Sequence, residues 1–176
     1  MRLRVTFAKN GALRYVGHLD LHKMWERVAR RAGLSLAYSQ GFHPAPKIQL
    51  ASALPLGFSS RYELVDLWVE GEIDQPRLLA SLQQASPSGL QVLEVAEVDE
   101  KSPPLQTQIL SADYETMLPS ELDDTATRVE SILSADSLPR ERRGKAYDLR
   151  PLIEELRLLD PDAHGKPRLF MRLSAR

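Results

Sequence analysis

What most constrains the fold of this chain is the order in which its hydrophobic periods change. In "RLRVTFAK" Leu3, Val5 and Phe7 alternate with Arg2, Arg4 and Thr6, which predicts a half-buried strand with one apolar face and one basic face. The period then lengthens. "HLDLHKMWERVARRAG" sets Leu21, Met24, Trp25, Val28 and Ala32 at helical spacing and closes on Gly33, so a helix is predicted over 18–32. Its other face carries His22, Lys23, Arg27, Arg30 and Arg31. "YSQGFHPAPKIQLASALPLG" follows, where Pro44, Pro46 and Pro55 forbid a long helix and leave turn or extended structure, with a short strand at "KIQLAS". "RYELVDLWVEG" returns to alternation, with Val65, Leu67 and Val69 on one side and Tyr62, Leu64, Asp66 and Trp68 on the other. "DQPRLLASLQQA" reads as a helix with Asp74 as N-cap and Pro76 in its first turn, and "GLQVLEVAEV" as a further strand.

Strand, helix, strand, strand, helix, strand is the split βαβ pattern of an α+β, ferredoxin-like sandwich, with both helices on one side of an antiparallel sheet. Residues 1–99 form that unit, and "DEKSPPLQ" reads as a boundary. A second α+β unit over 105–176 begins along the same lines. "LQTQILSADYE" is predicted as a strand, and "SELDDTATRVESILSAD" as a helix with Ser120 as N-cap and Leu122, Val129, Ile132 and Leu133 on its apolar side. A basic extended stretch and a short apolar element in "PRERRGKAYDLRPLIEELRLL" precede a strand in "KPRLFMRLSAR". The last helix and strand of a full copy are missing from this pattern, so the second unit reads as an incomplete duplicate.

Charge is distributed in blocks that the net value of −1 hides. Residues 1–50 hold nine Lys/Arg and two acids, net +7; residues 51–136 hold four bases and sixteen acids, net −12; residues 137–176 hold ten bases and six acids, net +4. A basic head and tail around an acidic middle suit either a polyanion-binding face or blocks that neutralise one another within the fold. The absence of cysteine removes disulfides, thiolate catalysis and thiolate-held metal clusters from what this chain can do. No apolar run approaches the roughly 18 residues of a membrane span, and the first residues lack a signal-type apolar core, so a cytoplasmic location is expected.

Catalytic motifs are sparse. His18 and His22 stand four apart and could share a helix face as metal ligands, but the sequence lacks the glutamate of an HExxH site and no pattern places a third ligand. Polar contacts at the helix start for His18 and solvent for His22 are the expectation, with no metal. Ser39, His43 and Asp66 are the residue types of a triad without a GxSxG turn, and phosphate-loop and dinucleotide-turn motifs are lacking. Binding has more support. Lys23, Arg27, Arg30 and Arg31 stripe one helix, and Lys47 follows beside Tyr38 and Phe42, rings able to stack on bases. Gly41 and Gly57 permit backbone turns in which amides can face an anion.

The run "RYVGHLDLHKMWERVARRAGLSLAYSQGFHPAPKIQLASALPLGFSS", and later "RGKAYDLRPLIEELRL", resembles the radical-SAM-linked protein family of unknown function, over most of residues 1–155. The family pattern falls here on His18, Asp20, Arg27, Arg30, Arg31, Tyr38, Ser39, Gly41, Phe42, Pro44, Pro46, Lys47 and Gly57. Relatives usually continue past "MRLSAR" with another strand and an acidic, proline-containing motif. The resemblance implies a partner: a radical SAM protein, fused or encoded alongside, that carries the iron–sulfur cluster, S-adenosylmethionine and cobalamin, while this chain binds no cofactor itself. The expectation is an accessory protein that binds RNA or another anionic substrate. His18, Asp20, Lys23, Arg27, Arg30, Arg31, Tyr38, Ser39, Gly41, Phe42, His43 and Lys47 are the candidate contacts, with His18 and Asp20 anchoring the loop to the helix start. Two alternatives stand beside it, a protein-interaction module docking on an acidic partner surface and a ribonuclease- or transferase-like enzyme using His18 or His43.

Overall fold

A computed structural model describes residues 1–71, 73–119 and 124–175, and the chain falls into two compact units, Met1–Gln108 and Ile109–Arg176. In the first, β1 (Arg2–Lys9) leads to a single 3-10 turn, Gly11–Tyr15, and then to α1 (His18–Arg31), close to the predicted helix. The edge segments β2 (Ser35–Leu36) and β3 (Ile48–Leu50) precede the long strand β4 (Ser60–Glu70), α2 (Gln75–Ala85) and β5 (Leu90–Val98). Asp74 occupies the N-cap position of α2, although its carboxylate pairs with Arg77 at 3.4 Å instead of capping an amide.

Every pairing in the sheet is antiparallel, in the order β5, β1, β4, with β2 and β3 lying in turn along the far edge of β4. This is the ferredoxin-like α+β arrangement. The alternating residues Leu3, Val5, Phe7, Val65, Leu67 and Val69 share one core with Leu21, Trp25, Val28 and Ala29 of α1 and Leu78 and Leu82 of α2, so both helices cover the same face. Trp25 meets Phe7 edge-on at 4.9 Å between ring centres, a geometry worth about 0.5–1.5 kcal/mol beyond area burial.

The opposite face departs from expectation. β1 is not half-buried: Arg2 is 1 % exposed and Thr6 is buried as well. The cause is the segment after β5, which returns over this face as a short helix, α3 (Leu105–Gln108), so that of the strand predicted over 105–115 only the part from Ser111 onward forms. Leu105 is fully buried, and its amide donates to Gln49 Oε1 at 2.7 Å, a cap supplied from β3 that local sequence does not reveal. The first unit therefore extends to Gln108, past the boundary expected at 99–105.

Asp66, 0 % exposed, holds this face together. Its carboxylate accepts from Arg2 Nε and Nη2 at 2.9 and 2.6 Å and from Arg4 Nε and Nη2 at 2.9 and 3.0 Å. Arg2 also donates to the Ser102 and Pro103 carbonyls, and Arg4 to Gln108 Oε1. A buried ion pair is sustained only when its remaining donors are satisfied, and here the returning segment satisfies them.

In the second unit β6 (Ser111–Met117), α4 (Thr125–Ser134), a ribbon of β7 (Pro139–Arg142) and β8 (Lys145–Asp148), β9 (Ile153–Leu159) and β10 (Arg168–Ser174) follow in order. The sheet order β6, β10, β9 matches that of β1, β4 and the β2/β3 edge, with α4 packed on β9. The expected N-cap Ser120 and the apolar Leu122 lie outside the described residues.

Asp66→Ala strands Arg2 in a dry site and should lower unfolding stability by roughly 3–5 kcal/mol in urea titration, whereas Arg172→Met, which breaks an exposed pair with Asp113, should leave the transition nearly unmoved. Gly89→Ala should also destabilise, by roughly 1–3 kcal/mol from conformation alone: its φ is +90°, and a Cβ there would sit 2.6 Å from the Asn10 carbonyl oxygen.

Candidate functional site

The proline-rich stretch forms a finger that leaves the sheet edge and returns to it. At its neck two backbone bonds close on one residue of β4 and a third joins the two arms: the Ala37 amide donates to the Trp68 carbonyl at 2.8 Å, the Trp68 amide to the Lys47 carbonyl at 3.1 Å, and the Lys47 amide to the Ala37 carbonyl at 2.8 Å. One rung further out Tyr38 bridges Pro46, and the Ser39 amide donates to the Ala45 carbonyl while the Ala45 amide donates to Ser39 Oγ at 3.0 Å. The finger is thus a pinned hairpin from 37 to 47. Gly41, with φ +134°, lies at its tip, where Phe42 is fully exposed and His43 is exposed. Proline limits the unbound alternatives, so little ordering entropy remains to be lost on binding.

At the finger's base lies a shallow, open cleft of about 270 Å³, lined by residues 45–49 with Ser39 and Trp68. Strand alternation turns Trp68 away from the helices, and the Arg2 guanidinium sits 4.8 Å from its ring centre. Trp68 and Gln49 are additions to the sequence-based list. The signal for Trp68 was its place on the polar side of β4, opposite Leu67 and Val69.

Tyr38, Ser39, Gly41, Phe42, His43 and Lys47 are gathered on this finger. Asp20, Lys23, Arg27, Arg30 and Arg31 are exposed along α1, in the helix layer, and Arg30 is paired with Glu26 at 2.7 Å. Among the described residues no hydrogen bond or ion pair joins the two sets, and neither His18 nor Asp20 anchors the loop. The Gly57 amide is already committed to the Arg14 carbonyl at 2.8 Å and is not free to meet an anion. Of the nine bases in residues 1–50, Arg2 and Arg4 are engaged by Asp66 and Lys9 is buried, so the surface is less basic than the count implies. Asp66, committed to two guanidinium groups, is also unavailable to Ser39 and His43. Among the described residues no three of His, Asp and Glu converge to hold a metal ion, and no helix is long and apolar enough to cross a membrane.

Residues 2–175 match the family described as "Uncharacterized protein conserved in bacteria (DUF2344)". The chain belongs to that family. The match runs through both units, and no curated protein matches the chain.

A second polar cluster lies on the helix side at the other end of β1. Lys9, 1 % exposed, donates to the Val16 carbonyl at 3.4 Å, and burial holds its pKa below the ordinary lysine value against the opposing pull of Glu63. Burial likewise pushes the Glu63 carboxyl up. His18 Nδ1 and Trp25 Nε1 are buried without a partner among the described residues. Because Glu63 binds its proton more tightly folded than unfolded, its contribution to stability falls as pH rises from 4.5 through the raised folded value. Glu63→Gln should therefore raise the melting temperature relative to the parent chain more at pH 7 than at pH 4; an equal shift at both would show the carboxylate to be unstrained.

Proposed function

We propose that this chain is a non-catalytic, substrate-binding accessory that presents RNA to a radical SAM partner in the cytoplasm. The observation that carries the RNA reading is the pinned finger, which holds Phe42 fully in solvent with Tyr38 44 % exposed and Lys47 beside it. A ring kept in water on a rigid support is suited to stacking on an unpaired base, and a neighbouring ammonium to the adjoining phosphate. The exposed cations of α1 supply a separate electrostatic contact. The partner follows from the resemblance noted in the sequence: in this reading the cluster, S-adenosylmethionine and cobalamin belong to the partner, and this chain orients the substrate.

Labelled total tRNA and ribosomal RNA fragments, titrated at several salt concentrations, test the reading. Phe42→Ala should weaken binding by about 1–3 kcal/mol, and Arg30→Ala with Arg31→Ala should lower the salt slope by roughly 1.4. Absence of saturable binding at low salt overturns it. Salt-sensitive, nuclease-insensitive co-purification with a radical SAM protein would then favour docking on an acidic protein surface.

A further inference from the structure

The ribbon of β7 and β8 in the second unit breaks a rule of sheet design in a way that assigns it a ligand. Cross-strand partners share a face, and Arg140 stands opposite Tyr147, Arg142 opposite Lys145 and Glu141 opposite Ala146. Alternation therefore places Arg140, Arg142, Lys145 and Tyr147 on one face and the acid on the other. Like charges directly opposite one another destabilise a strand pair, and Arg142 with Lys145 is such a pair. The turn between them adds a further cation: Arg143 and Gly144 both have positive φ, 53° and 75°, as a two-residue type I′ turn requires, so an arginine takes a conformation that asparagine or glycine adopts at lower cost.

Among the described residues no carboxylate pairs with Arg140, Arg142, Arg143 or Lys145, and Arg140 donates only to the neighbouring Pro139 carbonyl. All four are exposed, so the face is not held for a core. The ribbon's root, by contrast, is tied down. Asp148 Oδ1 accepts from the Leu138 and Arg150 amides at 2.7 and 3.0 Å, and the Leu149 amide donates to the Leu138 carbonyl at 2.9 Å. A rigidly rooted ribbon with unbalanced charge on one face is a local conflict that folding does not explain and an anionic ligand does.

We infer that this face of the ribbon binds a nucleic-acid strand, with Arg140, Arg142 and Lys145 on its phosphates and Tyr147 stacked on a base. Tyr147, 40 % exposed among the cations, favours a nucleic acid over an acidic protein, since carboxylates offer no flat partner to the ring. The choice of RNA as the strand rests on the reading proposed above; the cationic face itself does not.

The test uses the full chain and a fluorescent single-stranded RNA 12-mer, comparing Arg142→Gln with Lys145→Gln, Tyr147→Ala, and the Arg30/Arg31→Ala pair. The Gln pair should weaken binding by about tenfold or more and flatten the salt slope by roughly 1.4, while leaving the melting temperature unchanged or higher because the like-charge pair is gone. Tyr147→Ala should weaken binding with the slope kept. In the parent chain, a photoreactive 12-mer should crosslink to the peptide containing Tyr147, a readout independent of any variant's folding. Full affinity in the Gln pair with loss in the Arg30/Arg31 pair overturns the ribbon inference and leaves the finger-and-helix reading; the reverse pattern supports the ribbon and sinks the α1 contact. Absence of binding by the parent chain at low salt overturns both, and competition by polyglutamate as strong as by unlabelled RNA overturns the nucleic-acid assignment.

Discussion

Burying a carboxylate at the centre of a sheet face obliges the surrounding chain to supply cations and to have those cations satisfied in turn. Asp66 sets that obligation in the first unit. Arg2 and Arg4 of β1 answer it, and the spare donors of Arg2 require carbonyl groups, which Ser102 and Pro103 provide. The segment leading into α3 thereby becomes part of the sheet's covering layer. Leu105 then fills the space beneath it, and Gln49 binds both the Leu105 amide and the Gln106 side chain. A chain of dependence thus runs from β4 through β1 to a stretch that by composition looks like a linker.

That dependence explains why some elements could be read from sequence and others could not. α1 and β4 declare themselves because their apolar residues keep one period over many positions, and tertiary packing reinforces what each segment already prefers. α3 does not, because four residues carry no period and the decisive hydrogen bond comes from Gln49, 56 positions away. β1 gave its apolar face correctly but not its burial, since Arg2 and Arg4 look like solvent-facing cations until Asp66 is placed opposite them. The +7 charge of the first fifty residues misleads for the same reason: charge can be counted in a sequence, but its neutralisation is a property of register.

The candidate site divides along similar lines. The finger residues are close in sequence, so their gathering was visible in outline, and the prolines signalled stiffness. Its closure on the Trp68 backbone was not visible, because hydrogen bonds to main-chain atoms leave no mark on residue identity. The ribbon is the opposite case. Its basic residues are plain in "PRERRGKAYD", yet only the pairing of Arg142 with Lys145 shows that the charges crowd one face.

The neck of the finger has a consequence for how this protein can change over time. Ala37 and Lys47 both terminate on Trp68, so the two halves of the edge strand, β2 and β3, take their register from β4 and owe nothing to the length of what lies between. Residues beyond the Ser39–Ala45 rung can be lengthened, shortened or exchanged without shifting a single rung of the sheet. The tip is an interchangeable part on a fixed mount, and related chains can vary a handful of positions there while the sandwich beneath stays the same.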